Sequence, residues 1–377
     1  MKNLNYRMNR FGDGPAPFKA RNRINIRGLL LTALLCGLVS VQAELTFHQV
    51  DTTGINARAR FGGTSLNGLF MTASEGSTGS ADVFQYNAAN RSWDVFSSYA
   101  THRDNSSLSG NAQQIAVSGD YIYVSRLTNP GTLSIYNGTS WSTLDLSHPF
   151  SNPLTRRLDG IYAQGGQAVI TRENGYINIV DNGVDTITSN HPRPLGNVSF
   201  IDNNGIVGVG DTVFVKGTNN QISRSTDLGE TWSAPVTISG STSSFGSLFA
   251  LDANKVFSSG YGDAIWRSTD GGTNWTEITV TGFGTTRAVY AADENTLFVG
   301  GAGGLFFSDD AGATWSSLNS QLTGYTNQDI RGIHAVEDHI FFSADNGDMW
   351  VAIPEPGTLM LMGLGFATLW LTKAFRK

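Results

Sequence analysis

The residue types that most often carry chemistry are sparse in this chain and form no familiar constellation. Its six histidines are His48, His102, His148, His191, His334 and His339. No two of them have the His-x-x-x-His spacing with which one helix binds a metal. The segment HAVEDH (334–339) does place two histidines and two acids close together. Because side chains alternate across a strand, we expect a solvated turn there, with a metal site as the alternative.

Two further segments hold the oxygen ligands that calcium prefers, ADNGD (344–348) and DNNG (202–205). Asp, Asn and Gly are also the residues that a tight hairpin requires, so turns are the preferred interpretation. The only cysteine is Cys36, near the start, so the rest of the chain has no thiol nucleophile and no cysteine-based zinc site. Gly-x-Ser-x-Gly and phosphate-loop motifs are also missing. We therefore nominate no catalytic, cofactor-binding or metal-binding residue and expect no cofactor.

The elements that would have to position any site are indicated by an internal repeat. Three stretches align without gaps: SRSTDLGETW (223–232), WRSTDGGTNW (266–275) and FFSDDAGATW (306–315). They share the pattern Ser-x-Asp-x-Gly-x-x-Trp, with successive tryptophans 43 and 40 residues apart. The shared residues are Ser225, Asp227, Gly229, Trp232, Ser268, Asp270, Gly272, Trp275, Ser308, Asp310, Gly312 and Trp315.

Each position of this repeat has a mechanical reason. Ser and Asp side chains hydrogen-bond to backbone groups within a turn, and Gly supplies a positive φ. The Trp begins the next strand and buries a large ring over the hairpin. A period of 40–45 residues with strand-like flanks is typical of β-propeller blades. The pattern therefore predicts the turn between the third and fourth strands of a blade.

Weaker copies of the unit fill the rest of the body. FQYNAANRSWDVF ends its motif at Trp93, LSIYNGTSWSTLDL at Trp141, and YINIVDNGVDTITSN lacks the Trp. These units predict six complete blades and a seventh with only three strands. The segment LTFHQV (45–50) is predicted to supply the missing strand and close the ring, because closure removes an exposed edge. Six blades is the alternative count for this all-β fold.

The repeat resembles the Asp-box, or BNR repeat, of sialidases, sortilin-type receptors and photosystem assembly propellers. For sialidases the resemblance implies an arginine triad, a Tyr–Glu nucleophile pair and a Phe-Arg-Ile-Pro-like stretch, which this chain lacks. Its nearest Arg-Pro is PRPL, with Arg193, in the wrong blade. The motif residues serve their own turn, so we expect a non-catalytic protein. A glycosidase or lyase on the same scaffold stays open, since a fold does not fix activity.

The N-terminal segment predicts a secretory signal peptide over residues 1–43. A basic region ends at Arg27, and the apolar run GLLLTALLCGLV follows it. Val41-Gln42-Ala43 places small residues at the positions that signal peptidase reads, so we expect cleavage between Ala43 and Glu44. The alternatives are a helix at the start of the fold and, through Cys36, a lipoprotein signal. The propeller is then predicted over residues 44–352.

The C-terminal segment, residues 353–377, predicts a sorting signal. Pro354-Glu355-Pro356 interrupts regular structure, because two prolines neither continue a helix nor donate ladder hydrogen bonds. Residues 357–372 are apolar but short for a span, at about 24 Å against a hydrocarbon core of about 30 Å. A basic tip then ends the chain at Lys377. The alternative is a plain membrane anchor.

This segment resembles the PEP-CTERM signal of Gram-negative bacteria. The resemblance implies transient recognition by an exosortase, membrane contact through residues 357–372 before processing, and delivery to the cell surface or matrix of an exopolysaccharide-producing host. Residues 44–350 carry 29 acidic and 15 basic side chains. That balance disfavours nucleic acid as a partner. The sequence therefore predicts an exported protein that binds exopolysaccharide or a surface protein, with an assembly factor for an envelope complex as an alternative.

Overall fold

The structure, a computed structural model, describes residues 45–52, 59–63, 65–75, 80–97, 112–126, 132–146, 158–172, 175–186, 193–196, 205–240, 246–260 and 262–354. Within these ranges the regular structure is almost all β, with short 3₁₀ turns at Leu66–Gly68 and Asn319–Gln321. The second strand of a blade is typically rich in β-branched and aromatic residues, as in TVFVK at 212–216, where every residue is buried. Such residues favour strands packed on both sides.

The strands are numbered in chain order. Their bounds are β1 (Leu45–Gln49), β2 (Arg60–Gly62), β3 (Phe70–Glu75), β4 (Ser80–Asn87), β5 (Ser92–Ser97), β6 (Ala112–Ser118), β7 (Tyr121–Arg126), β8 (Thr132–Tyr136), β9 (Trp141–Asp145), β10 (Leu158–Gln164), β11 (Gln167–Arg172), β12 (Ile177–Asp181), β13 (Val184–Asp185), β14 (Ile206–Val209), β15 (Thr212–Lys216), β16 (Gln221–Ser225), β17 (Val236–Thr237), β18 (Leu248–Ala250), β19 (Val256–Ser259), β20 (Ala264–Ser268), β21 (Thr276–Thr279), β22 (Thr286–Ala291), β23 (Leu297–Gly301), β24 (Gly304–Ser308), β25 (Ser316–Ser317), β26 (Ile330–Val336), β27 (His339–Ala344) and β28 (Met349–Pro354).

These strands form seven antiparallel sheets of four strands each, which are the blades of a β-propeller. Blades 1 to 6 are consecutive meanders that begin at β2, β6, β10, β14, β18 and β22. Blade 7 has the order β1-β28-β27-β26, so its outermost strand comes from the start of the described chain. The predicted seven-bladed ring with an N-terminal closing strand is therefore confirmed, and the six-blade alternative is wrong.

The core lies between neighbouring blades. Val169 of blade 3 packs with Val213 of blade 4, for example, and both side chains are fully buried. The seam that closes the ring has the same character, since Phe84 of blade 1 shares a cluster with Phe341 of blade 7. His334 of blade 7 also lies against Phe61 of blade 1, with ring centroids 5.8 Å apart. Ring closure therefore buries apolar surface as the other seams do.

The alternating strand directions give the ring two different faces. The loop face carries the start of each innermost strand and the turns between second and third strands. The box face carries the turns between first and second strands and those between third and fourth strands. The three Ser-x-Asp-x-Gly-x-x-Trp turns connect β16 to β17, β20 to β21 and β24 to β25, so they lie on the box face. In blade 7 the open ends of β28 and β1 take the equivalent place.

The closing strand differs slightly from its predicted bounds. β1 pairs with β28 from Leu45 opposite Pro354 to Gln49 opposite Trp350. The predicted propeller boundary at residue 352 therefore lies inside β28, which continues two residues further. Pro354 is the natural end of the ladder because proline has no N–H to donate.

Candidate binding site on the loop face

The serines and aspartates of the three predicted turns hold those turns together. The Ser268 hydroxyl donates to Asp270 Oδ1 at 2.9 Å and accepts from the Gly272 N–H, also at 2.9 Å. Asp270 Oδ1 in turn accepts from the Asn274 N–H at 2.8 Å. Ser225 with Asp227, and Ser308 with Asp310, make the same contacts in their own turns. The side-chain oxygens of these residues are therefore engaged in hydrogen bonds within their own turns.

The hydrogen bonds within the turns also set the acidity of the aspartates. Hydrogen bonds from Asn274 and Ser268 lower the pKa of Asp270, and those from Thr314 and Ser308 lower the pKa of Asp310. For Asp227, burial raises the pKa, but hydrogen bonds from its neighbours outweigh that effect and lower it overall. The carboxylates therefore stay ionised at neutral pH, as acceptors of turn N–H groups.

The glycine and tryptophan of each turn face the preceding blade. Gly229, Gly272 and Gly312 have φ values of 91°, 87° and 89°, which favour glycine. A Cβ on Gly312 would lie 2.5 Å from Ile278 of blade 5, and one on Gly229 would lie 3.1 Å from Val169 of blade 3. Each turn therefore fastens one blade to the blade before it.

The three tryptophans occupy these seams in two ways. All three are partly buried and pack against a cluster of the preceding blade. Trp232 and Trp275 donate from the indole N–H to Gly229 and Gly272 of their own turns, at 2.8 and 2.9 Å. Trp315 donates instead to the Thr279 carbonyl of blade 5, at 3.0 Å. We expected the ring to cover its own hairpin, whereas its apolar contacts lie largely across the seam.

The other predicted segments give turns where they are described. His334 Nε2 lies 3.2 Å from the Gly63 carbonyl, whereas His339 Nδ1 lies 2.6 Å from Asp338, so the two histidines of HAVEDH have separate partners. In ADNGD, Asn346 and Asp348 hydrogen-bond to each other. Within the described ranges no group of three or more His, Cys, Asp or Glu side chains could hold a metal ion. Residues 202–204 of DNNG lie outside those ranges.

Of the predicted processing residues, the structure describes Pro354, the last residue of β28. Ala43, Glu44, Glu355 and Pro356 lie outside the described residues, as does the apolar segment 357–372. The described part of the chain contains no helix that is long and apolar enough to cross a bilayer.

A cluster of charged side chains that was not predicted lies on the loop face where blades 6 and 7 meet. Four innermost strands, β6, β10, β22 and β26, contain a register shift at their second residue. In β22 and β26, which carry the cluster, the extra residues are Arg287 and Arg331. A β-bulge of this kind bends the strand and re-aims the side chain of the extra residue. In this propeller, the bulges place polar side chains at the first residues of the innermost strands, on the loop face.

Arg287 and Arg331 converge on one carboxylate. Asp329 Oδ2 lies 3.4 Å from Arg287 Nε and 2.8 Å from Arg331 Nη2, and Asp345 Oδ2 lies 3.9 Å from Arg331. We call Arg287, Asp329, Arg331 and Asp345 the rim cluster. The two arginine side chains are 21% and 24% exposed, so each keeps part of its surface in solvent. Asp329 therefore holds two cations of adjacent blades in a fixed, accessible position.

The rim cluster also has unused hydrogen-bonding capacity. Among the described residues, Asp329 Oδ1 and Arg331 Nε are shielded from solvent and make no hydrogen bond. Buried polar atoms normally have partners, and exceptions are concentrated where a water or ligand completes the network. The sequence carries a faint signal for this cluster, because TRAVYA and IRGIHAV each place an arginine second in a strand. Without the bulges, that position could not be assigned to a face.

Comparison with known proteins identifies one region of the sequence. Residues 352–377 match the family described as "PEP-CTERM protein-sorting motif". The curated "Xyloglucanase" of a Paenibacillus species is 29% identical over 152 residues, which cover 37% of this chain but only 14% of that protein. The match therefore spans about one seventh of the relative's length.

Comparison with solved structures supports the fold. YCF48 from Cyanidioschyzon merolae superposes with a TM-score of 0.59 at 14% identity, covering 82% of this chain and 99% of that one. A structure of YCF48 bound to D1 peptide has a TM-score of 0.57 at 15% identity over 84% and 97% of the two chains. Virginiamycin B lyase from Staphylococcus aureus gives 0.58 at 12% identity over 83% and 100%. At such identities the likeness concerns the propeller architecture alone.

Proposed function

We propose that this protein is an exported, surface-sorted propeller that binds a polysaccharide through its loop face without changing it chemically. The sorting motif at residues 352–377 indicates export and delivery to the cell surface by an exosortase. Cleavage between Ala43 and Glu44, and loss of the tail near Pro354-Glu355-Pro356, are the two processing steps of this proposal. The binding role rests on the rim cluster, which lies on the face opposite the open ends of β1 and β28.

The chemistry of the rim cluster favours a ligand with carboxylate groups. Two guanidinium groups presented side by side offer several N–H donors in fixed directions, which suits a carboxylate better than a neutral hydroxyl. Arg287 and Arg331 keep their orientation through Asp329, so little side-chain entropy is lost on binding. A polysaccharide that contains uronic acids would present such carboxylates repeatedly along its chain.

The comparisons supply weaker support and two competing proposals. The relative named "Xyloglucanase" favours a polysaccharide ligand. The structure of YCF48 bound to D1 peptide instead favours a peptide partner, and the likeness to a lyase favours catalysis. Among the described carboxyl groups, hydrogen bonds lower the pKa of Asp227, Asp252, Asp270, Asp293 and Asp310. A general acid at neutral pH would need a raised one.

Titration of the mature protein with a polyuronate, measured by calorimetry, tests the proposal. We expect binding that is weakened at least tenfold by the double variant R287Q/R331Q, because the carboxylate loses both cationic partners. Arg91→Gln, an exposed arginine in a box-face turn of blade 1, is the matched control and should bind as the wild type does.

Three results would contradict the proposal in different ways. Equal affinity of the wild type and R287Q/R331Q for the polyuronate would show that the rim cluster is not the binding site. Binding of neutral xyloglucan with the same affinity would show that recognition does not depend on a carboxylate of the ligand. Release of unsaturated uronates or new reducing ends during the titration would show a lyase or glycosidase, which is the alternative function.

A further inference from the structure

The sorting motif and the propeller share residues. The motif match begins at residue 352, whereas β28 continues to Pro354. Ala352, Ile353 and Pro354 stand opposite Phe47, Thr46 and Leu45 of the closing strand. The first three residues of the segment that matches the sorting motif are thus already paired within blade 7.

This pairing is held by packing on the seam between blades 6 and 7. Phe47 lies against Phe342 with ring centroids 6.0 Å apart, and Leu45 packs on the same cluster. Ala352 of the partner strand is fully buried there. The backbone continues this attachment beyond the ladder, because the Val50 N–H donates to the Met349 carbonyl at 3.0 Å. The β1–β28 pair is therefore an integral part of the closed ring.

Very little chain separates this strand from the apolar segment. Only Glu355 and Pro356 lie between Pro354 and Gly357, where the apolar residues begin. Two residues span at most about 7 Å, even fully extended. A protease that binds its substrate as an extended strand uses the substrate's backbone groups, as in other strand-addition complexes. The outer edge of β28 offers those groups only when β1 is not paired with it.

We propose that β1 and the sorting exosortase compete for the outer edge of β28. Closure of the ring withholds residues 352–354 from the enzyme, so the tail is removed while β1 is unpaired. Processing then precedes the final closure, and a ring that closes first keeps its tail. This inference rests on the proposed sorting function, but it makes a separate statement about the order of events.

An engineered disulfide between residues 46 and 353 tests the competition. Cross-strand partners have Cα atoms about 4.5–5.5 Å apart, which is within the range that a disulfide spans. The sole natural cysteine, Cys36, lies in the predicted signal peptide, so T46C/I353C introduces the only cysteines of the mature chain. In a pulse-chase experiment in the native host, we expect the oxidised variant to lose its tail at least tenfold more slowly. Reduction during the chase should restore the rate.

A second variant weakens the same strand without a cross-link. Phe47→Ser removes the contact with Phe342, so β1 should separate from β28 more often. Tail removal should then be faster than in the wild type. Trp275→Ala, in blade 5, is the matched control because it weakens a distant seam and should not change the rate. Equal rates in the locked, unlocked and wild-type chains would overturn the competition. A wild-type chain that never loses its tail would instead overturn the sorting function itself.

Discussion

At the scale of single residues, the most unusual side chain is a lysine buried between blades 4 and 5. Lys216 is fully buried, and its Nζ donates to Ser258 Oγ at 2.8 Å and to the Ser259 carbonyl at 2.9 Å. Both partners belong to β19 of the next blade. Burial lowers the pKa of Lys216 to about 7. The amine therefore bridges two blades while it is largely uncharged above neutral pH.

This lysine makes stability depend on pH in a defined direction. Between pH 7 and the ordinary lysine pKa, the unfolded chain holds a proton that the folded chain has released. The free energy of unfolding therefore rises with pH in that window, by at most about 1.4 kcal/mol per pH unit. We predict that Lys216→Met loses this rise when urea unfolding is compared at pH 7 and pH 9.

Lys255, a partly exposed lysine on the box face, is the control for this prediction. The hydrogen bonds that its ammonium group donates to Glu294 and Asp252 raise the pKa of Lys255, so both the folded and the unfolded chain keep this proton below pH 9. Lys255→Met should therefore leave the difference between pH 7 and pH 9 unchanged. If Lys216→Met keeps the full wild-type difference, the buried lysine is not the group that titrates.

The residue scale also shows what sequence reasoning missed. Lys216, Arg287 and Arg331 were unremarkable in the sequence because their environments depend on a neighbouring blade or on a bulge. By contrast, the local pattern of the Ser-x-Asp-x-Gly-x-x-Trp turns predicted the hydrogen bonds within those turns, because each partner is at most four residues away. Contacts within one turn follow from spacing, and contacts across a seam do not.

At the scale of elements, the turns between third and fourth strands act as fasteners between blades. The indole ring of Trp275 packs against blade 4, on a buried cluster that includes Phe214 and Ile222. Gly272 approaches the same two side chains, at 3.7 and 3.8 Å from its virtual Cβ. The repeat therefore stabilises each seam as well as the hairpin that contains it.

Replacing this tryptophan tests the fastener. Trp275 is partly buried, so we predict that Trp275→Ala costs about 2 kcal/mol, below the 3–5 kcal/mol typical of a fully buried aromatic residue. Urea unfolding of the mature protein measures the loss. Thr273→Ala changes an exposed residue of the same turn and should cost much less. A loss below about 0.5 kcal/mol for Trp275→Ala is usual for surface positions. It would mean that the indole ring does not stabilise the seam between blades 4 and 5.

The sequence predicted the elements well because the repeat has a period. Blades 4 to 6 each contain one Ser-x-Asp-x-Gly-x-x-Trp turn. Because every blade has four strands, β1 is needed to complete blade 7. The end of the last blade was harder to place. Pro354 reads as a break in the sequence, yet it is the residue opposite Leu45 at the end of the ladder. A proline can be the last residue of a strand where no N–H donor is needed, and the sorting motif therefore begins within β28.

At the scale of the whole molecule, the proposed binding face lies opposite the strand ends that connect to the predicted processing sites. The rim cluster lies on the loop face, whereas the open ends of β1 and β28 lie on the box face. In the proposed account the tail holds the precursor at the membrane by its box face, and the loop face points away. A ligand could therefore reach Arg287 and Arg331 both before and after the tail is removed.

The most direct test of this account is the intact mass of the mature protein recovered from outside the inner membrane of the native host. The account predicts a chain that begins at Glu44 and ends near Pro354-Glu355-Pro356, without the apolar segment. A native protein that still carries Lys377 and fractionates with the inner membrane would contradict it.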